Sequence, residues 1–419
     1  MSERKEEQTT RRDFIKTTGA LAAGLMVSGW TTSRAHALGA NDRIRLGFIG
    51  VGGMGMAHVH SMMGRKKEDN IEIIAVCDIW EKRKEAAKAA TGGTVYHDYR
   101  KLLENKDVDA VLIASPEHWH CQMFLDALDA GKHVYCEKPM SRYLDECIKM
   151  YKAAQAHPKQ AVQIGVQFTS DDKWRKANEL IKAGKIGKVV WSQTSYCRNS
   201  KGGEWNYGID QSASPDNLDW NAWLGPAKQV TGNIPFNRDH YFRWRKYWAY
   251  SGGITHDLFP HRLTPFMIAI GIEWPARVVA SGGIYVQTDR EVPDTIHVLV
   301  EYPSKHTVLV AGSTCSELGL PDLIRGNKGV MTIGGNNIAI RPESTYADEV
   351  EEMNEPAGGT GENIGVHERN WLKAIRDGEK LFCPVEVAAP VMVALCMAEI
   401  SYRQNKAVRF DPGKMEVIA

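Results

Sequence analysis

The 419-residue chain has no surplus of charge of either sign: 52 Lys and Arg stand against 51 Asp and Glu, a formal net charge of +1. Holding a polyanion takes clustered cations that displace its counterions. No basic block is present, which excludes nucleic acid as a partner. Cysteine is sparse. Cys77, Cys121, Cys136, Cys147, Cys197, Cys315, Cys383 and Cys396 form no C-x-x-C pair, so neither a zinc site nor a disulfide framework is expected. The mildly apolar stretch from Thr17 to about Trp30 is interrupted by Gly and Thr and is too short to span a bilayer. Neither internal repeats nor low-complexity segments occur. The remaining composition, 43% apolar and 25% charged, is that of a globular protein with a large core, and the length suggests two domains. A small molecule is the expected partner.

Thr10-Arg11-Arg12-Asp13-Phe14-Ile15-Lys16, the apolar stretch after it and Ala35-His36-Ala37 come in the order charged, apolar, small-x-small. The segment resembles a twin-arginine export signal; a disordered basic tail is the bland reading. Residues 1–37 are therefore set apart from the fold, with the export machinery as their partner and the periplasm, or another exported location, as the destination. That route carries folded proteins, so folding occurs in a reducing cytosol and the thiols are expected free and buried.

Ile44-Arg45-Leu46-Gly47-Phe48-Ile49 reads as a strand that leads directly into Gly50-Val51-Gly52-Gly53-Met54-Gly55 and a helix-compatible stretch to about Met63. This is G-x-G-x-x-G in a strand-to-helix setting. Gly50 permits the tight turn, Gly52 lets the backbone approach a pyrophosphate, and Gly55 lets helix pack on strand. The bland reading is a plain strand-to-helix turn. A second strand, Ile71 to Cys77, ends at Asp78, which is placed to accept hydrogen bonds from an adenosine ribose and to repel a 2′-phosphate. NAD is favoured, and Lys82 and Arg83 just downstream leave NADP open.

Helices at Glu81–Ala90, Arg100–Asn105 and Trp119–Ala130 alternate with strands at Ala110–Ala114 and His133–Cys136, which predicts a parallel, doubly wound sheet. Ligands bind such sheets beyond the carboxyl ends of the strands, where this chain carries Ser115-Pro116-Glu117-His118 and Glu137-Lys138-Pro139. A lysine there is a polariser for a substrate hydroxyl, with Glu137 to hold it, or else a strand-end cation in an ion pair. Further along, Asp257 and His261 stand four residues apart, on one face if helical. They suit an oriented general base, or an Asp cap beside a structural His. Pro260 disfavours an uninterrupted helix unless it lies in the first turn. A metal at His256, Asp257 and His261 is not expected, since no second ligand cluster has motif spacing.

Gly50-x-Gly52-x-x-Gly55, Ser115-Pro116 with His120 downstream, Glu137-Lys138-Pro139 and Gly252-Gly253-x-x-x-Asp257-x-x-x-His261 together resemble the glucose-fructose oxidoreductase, inositol dehydrogenase and rhizopine-catabolism (Gfo/Idh/MocA) family. Phe259-Pro260 and His256 depart from its usual pattern. The resemblance implies a Rossmann domain over residues 38–165. It also implies an α+β domain over 166–419 with a large, mainly antiparallel sheet whose free face makes dimers or tetramers, and C-terminal helices packing back towards the first domain. Lys138, Asp257 and His261 would be catalytic. The cofactor set is Gly50, Gly52, Gly53, Met54, Gly55, Asp78, Ser115, Pro116, His118, His120, Glu137, Lys138 and Gln167.

Strand-like runs at Val189–Tyr196, Arg277–Val286, Thr295–Tyr302, Thr307–Ser313 and Gly329–Ile333 fit that second sheet, and His367–Asp377 and Val385–Asn405 read as amphipathic helices. Between Cys197 and Ser251 the chain is rich in Gly, Asn, Asp and aromatic rings. Flat rings stack on sugar C–H faces while polar neighbours bond hydroxyls; core packing is the alternative. Arg198, Trp205, His240, Tyr241, Arg243 and His256 are the substrate candidates, and Arg198, Arg243 and Arg245 leave room for a sugar acid. The expected activity is hydride transfer between a sugar or cyclitol carbinol carbon and a dinucleotide retained between turnovers. Two rivals are a redox-neutral glycosidase working through a transient keto-sugar, and a non-catalytic dinucleotide-binding protein.

Overall fold

In the computed structural model, which describes residues 42–418, six short strands form the first sheet: β1 (Ile44–Ile49), β2 (Ile71–Cys77), β3 (Thr94–Tyr96), β4 (Ala110–Ile113), β5 (His133–Glu137) and β6 (Val162–Gly165). The expected export signal lies outside the described residues. The strands pair in parallel in the order β3-β2-β1-β4-β5-β6. Helices α1 (Gly53–Gly64), α2 (Glu81–Thr91), α3 (Tyr99–Leu103), α4 (Glu117–Asp129) and α5 (Leu144–Ala156) make the crossovers. Every residue of β4 is buried, as helices on both faces require. The strand order reverses between β1 and β4, which opens a crevice at their carboxyl ends.

Beyond α6 (Lys173–Lys182) comes an eleven-stranded sheet: β7 (Val189–Asn199), β8 (Arg277–Gly283), β9 (Thr295–Glu301), β10 (Thr307–Ser313), β11 (Cys315–Ser316), β12 (Asp322–Gly326), β13 (Gly329–Gly334), β14 (Asn337–Pro342), β15 (Met353–Pro356), β16 (Val408–Asp411) and β17 (Glu416–Ile418). Only β7 and β10 pair in parallel. Strand β9 shows the period of two, with Ile296, Val298 and Val300 buried and Leu299 exposed. The strand expected over Arg277–Val286 stops at Gly283, and Ile284, Tyr285 and Val286 are exposed.

Two helices, α7 (Pro260–Ile270) and α9 (Val385–Gln404), pack on the large sheet, and α8 (Ile364–Asp377) lies between them in sequence. By length and composition α9 is apolar enough to cross a membrane, yet most of it is buried against α5, α7 and β8 as a core helix. Helix α8 returns to the first sheet, where Trp371 Nε1 donates to the Ala161 carbonyl at 3.1 Å. All eight cysteines are unpaired and six are buried. The chain between β7 and α7 has only short helical turns. Its Trp220, Trp223, Tyr241 and Tyr250 bury together with Trp80 of the first domain.

Candidate active site at the mouth of the parallel sheet

The glycine turn has the conformation its sequence calls for. Gly50 has φ +83°, and a Cβ there would stand 2.9 Å from the Ala114 carbonyl and the Ser115 nitrogen. A Cβ on Gly55 would collide with the Gly50 carbonyl oxygen. Gly53 and Met54 open α1, whose free N–H groups face the crevice. Asp78 is buried and braces this turn: its oxygens accept from Val51 N and Trp80 N, both at 3.0 Å. Each carboxylate oxygen retains acceptor capacity. Ser115 Oγ, beside the turn, is buried without a partner among the described residues. Glycine cradle, acidic strand end and orphaned hydroxyl together fit a dinucleotide.

His120 plays a different part from the cofactor contact expected of it. Its ring nitrogens lie 2.7 Å from the Pro139 carbonyl and 2.8 Å from the Ser115 carbonyl, so it ties the loops after β4 and β5 together. His118 directs Nε2 to the Trp223 carbonyl at 2.9 Å. Glu117, one residue before, accepts from Ser251 Oγ at 2.6 Å and Gly252 N at 3.2 Å. Burial raises its carboxyl to about 7. It thereby fixes the Gly252-Gly253 turn from which Asp257 follows.

Lys138, after β5 and joined to Pro139 by a cis bond, sends its Nζ to the Asp257 carbonyl and to Asp257 Oδ1, both at 2.8 Å. Glu137, expected to hold this ammonium, instead accepts from the Lys138 backbone nitrogen at 3.1 Å, from Gln167 Nε2 at 2.6 Å and from His58 Nε2 at 2.9 Å. His58 is in turn 2.6 Å from Glu368 Oε1, and Ser61 and Arg65 complete that buried chain. Burial would lower the His58 ring, but the two carboxylates outweigh it and hold it at about 9.

Asp257 is the centre of the site. Trp205 Nε1 donates to its Oδ2 at 2.9 Å, Arg245 Nε to its Oδ1 at 2.8 Å, and Arg198, itself paired with Glu204, lies 4.0 Å away. Burial alone would raise the Asp257 carboxyl; Arg245 and Lys138 hold it well below the usual carboxylate range.

The expected Asp257–His261 couple does not form. Residues Ile254–Leu258 make a π-helical turn and Pro260 starts α7 in its first turn, so the four-residue spacing does not stack the two side chains. His261 has Glu362 as its carboxylate, with Nδ1 3.0 Å from Oε1 though not aligned on it, and packs near Tyr196. Glu362 is held below the usual range because His261, Arg262 and Lys138 outweigh its burial.

Four substrate candidates sit elsewhere. His256 is fully buried, 3.0 Å from Thr255 Oγ1 and near Glu399 and Cys396, with burial lowering it to about 4; it is a core residue. Tyr241 packs on Trp80, at the opposite end of the crevice from Lys138. Arg243 is spent on the Tyr207 carbonyl and Asp239. His240 stacks on Tyr247 and contacts Tyr250 OH at 2.9 Å. Sequence reasoning missed His58, Glu362 and Glu368. His58 alone had a local signal, three residues past Gly55 on the same helix. Among the described residues, no group of three His, Cys, Asp or Glu is arranged to hold a metal ion.

Residues 44–166 match the model of the oxidoreductase family with an NAD-binding Rossmann fold, and residues 221–332 match the GFO/IDH/MocA C-terminal domain. Inositol 2-dehydrogenase of Salmonella paratyphi B is 33% identical over 149 residues, 35% of this chain and 44% of that protein. A glycosyl hydrolase family 109 protein of Shewanella pealeana is 27% identical over 230 residues, 46% of this chain and 49% of that one. The chain thus spans less than half the length of either relative. Levoglucosan dehydrogenase, solved in complex with NADH and levoglucosan, shares the fold at TM-score 0.63 and 18% identity, over 90% of this chain and 99% of that one.

Proposed function

The chain belongs to the Gfo/Idh/MocA family of oxidoreductases, and from that premise we propose that it is an exported NAD-dependent dehydrogenase acting on a sugar or cyclitol. The observation that carries this reading is the Lys138 ammonium set 2.8 Å from the Asp257 carboxylate beyond the end of β5, one strand from the crevice. When bound, the nicotinamide dinucleotide supplies the hydride acceptor. The chain's own residues deal with the proton and the oxygen. Two of the three Lys138 donors are committed to Asp257; the third polarises the substrate oxygen. His261, with Nδ1 beside Glu362, takes the hydroxyl proton at Nε2. Asp257, kept ionised by its cations, fixes the ammonium and accepts from a neighbouring substrate hydroxyl. Arg198 and Trp205 line the same carboxylate and bound the substrate side.

The test is to load the purified full chain stoichiometrically with NAD and to follow the absorbance of the bound nicotinamide in a single turnover as each of a panel of cyclitols and aldoses is added. Absorbance that rises with one class and is lost in Lys138→Met supports the reading; no response to any polyol defeats it. The family 109 relative favours a second reading, redox-neutral glycoside cleavage, and aryl glycosides distinguish the two. Phenol released with no net absorbance change selects the glycosidase.

Export by residues 1–37 is part of the proposal. Replacing Arg11 and Arg12 by Lys should leave the protein in the cytosol. Self-association is part of it as well, supported by Trp191 and Leu299 exposed on the outer face of the large sheet.

A further inference from the structure

The segment from Trp205 to Tyr250 leaves the large sheet and crosses the mouth of the parallel one. On the β2 side it is pinned by backbone bonds, Glu81 N to the Asn217 carbonyl at 3.0 Å and Asp219 N to the Ile79 carbonyl at 3.1 Å, and by Lys82 Nζ on Asp210 Oδ2 at 2.6 Å. On the β4 side the Trp223 carbonyl accepts from His118 Nε2 at 2.9 Å and Trp119 Nε1 at 3.0 Å, both on the first turn of α4. Between the two sets of pins lies the crevice where the strand order reverses.

Four polar atoms around it are buried with no partner among the described residues: Ser115 Oγ, His118 Nδ1, Trp80 Nε1 and Tyr241 OH. Leaving such groups unpaired in the interior is unfavourable, so four in one neighbourhood mark the place of a ligand. Their chemistry is specific. Burial holds the His118 ring down to about 4. The neutral ring donates from Nε2 to Trp223, which leaves Nδ1 a bare acceptor, suited to an exocyclic amine. Trp80 Nε1 is a pure donor. The Arg83 guanidinium faces rings instead of a carboxylate, 5.4 Å from Trp80 and 5.0 Å from Tyr241, and a Cβ on Gly52 would stand 3.2 Å from its Nη1. These donors suit phosphate and ribose oxygens.

We propose that residues 205–250 form a strap closed over the adenosine half of the dinucleotide, with Tyr241 of the second domain completing a subsite made with Trp80, Arg83 and His118, so that the nucleotide stays bound between turnovers. The proposal rests on the reading of the glycine turn as a dinucleotide site. Release then requires the pins on both sides to part, and exchange is limited by strap opening instead of by the contacts of the glycine turn alone.

The full chain is loaded with isotope-labelled NAD and chased with unlabelled NAD, and the label retained is read by mass spectrometry after gel filtration and denaturation. The expected result is label held for hours by the unsubstituted protein, exchange about tenfold faster in Tyr241→Phe and in Arg83→Met, the worth of about one buried hydrogen bond each, and about twofold faster in Asp210→Ala, which removes only an exposed pin. Should Tyr241→Phe fail to fold, Arg83→Met and Asp210→Ala carry the comparison. A protein that binds NAD yet exchanges it within seconds, or variants that exchange at the unsubstituted rate, overturns the strap while leaving the dinucleotide site standing. Failure to bind labelled NAD at all overturns both.

Discussion

Raising the pH from about 7 to about 8 should destabilise the folded protein, chiefly through one imidazole. His58 is fully buried between Glu137 and Glu368, and although burial opposes its charge, those carboxylates hold it at about 9. In the unfolded chain it titrates near 6.5. The folded state therefore keeps a proton that the unfolded state has shed, and the stabilisation is fully present below about pH 6.5 and is lost as pH rises through about 9. Integrated over that interval it amounts to about 3 kcal/mol, with a slope of at most about 1.4 kcal/mol per pH unit. Two carboxyls share the window: Glu117 and Glu146, raised by burial to about 7, shed their protons in the same direction and add about 0.4 kcal/mol each between about pH 7 and pH 8, while the remaining groups act outside it. His118, His256, His306 and His367 are lowered by burial to about 4, so their contribution has the opposite sign and falls below about pH 6.5. The buried thiols, raised by burial, matter only where unfolded thiols ionise, above about pH 8. Urea unfolding at constant ionic strength should show stability falling by about 2 kcal/mol between about pH 7 and pH 8, and Glu368→Gln, where His58 keeps one carboxylate, should flatten the His58 share of that fall. Stability that is level or rising across that interval refutes a charged His58.

Three substitutions probe the rest of the site. Lys138→Met should lower kcat by about 10²–10⁴ while dinucleotide affinity, followed by equilibrium dialysis, changes little; a comparable loss of affinity would assign the lysine to binding. Gly55→Ala places a methyl group against the Gly50 carbonyl and should abolish nucleotide binding with about 1–3 kcal/mol of lost stability, so normal NAD binding would contradict the packing of α1 on the turn. Asp257→Asn leaves the partly buried Lys138 and Arg245 beside a neutral amide and should cost about 2–3 kcal/mol by urea unfolding, below the full cost of breaking a buried pair; a cost below about 1 kcal/mol would mean that water already shares those cations.

The nucleotide turn was legible in the sequence because its chemistry is local: Gly50, Gly55 and the strand-ending Asp78 act within one βαβ unit. Lys138 was legible for the same reason, as a residue that directly follows a buried strand. Its partner shows where local reading stops. His256 and Asp257 are adjacent, yet one enters the core beside Glu399 and the other meets Lys138, because successive side chains on the helical turn Ile254–Leu258 diverge. Glu137 and Glu368 make sense of His58 only once residues 310 positions apart are brought together. The aromatic stretch makes the point most fully. Composition marks residues 197–251 as rich in rings, but Trp205 goes to Asp257 at the catalytic end and Tyr241 to Trp80 at the adenosine end, since the segment crosses the whole mouth of the sheet. One run of chain therefore touches both halves of the site, an arrangement that no window of sequence read alone contains.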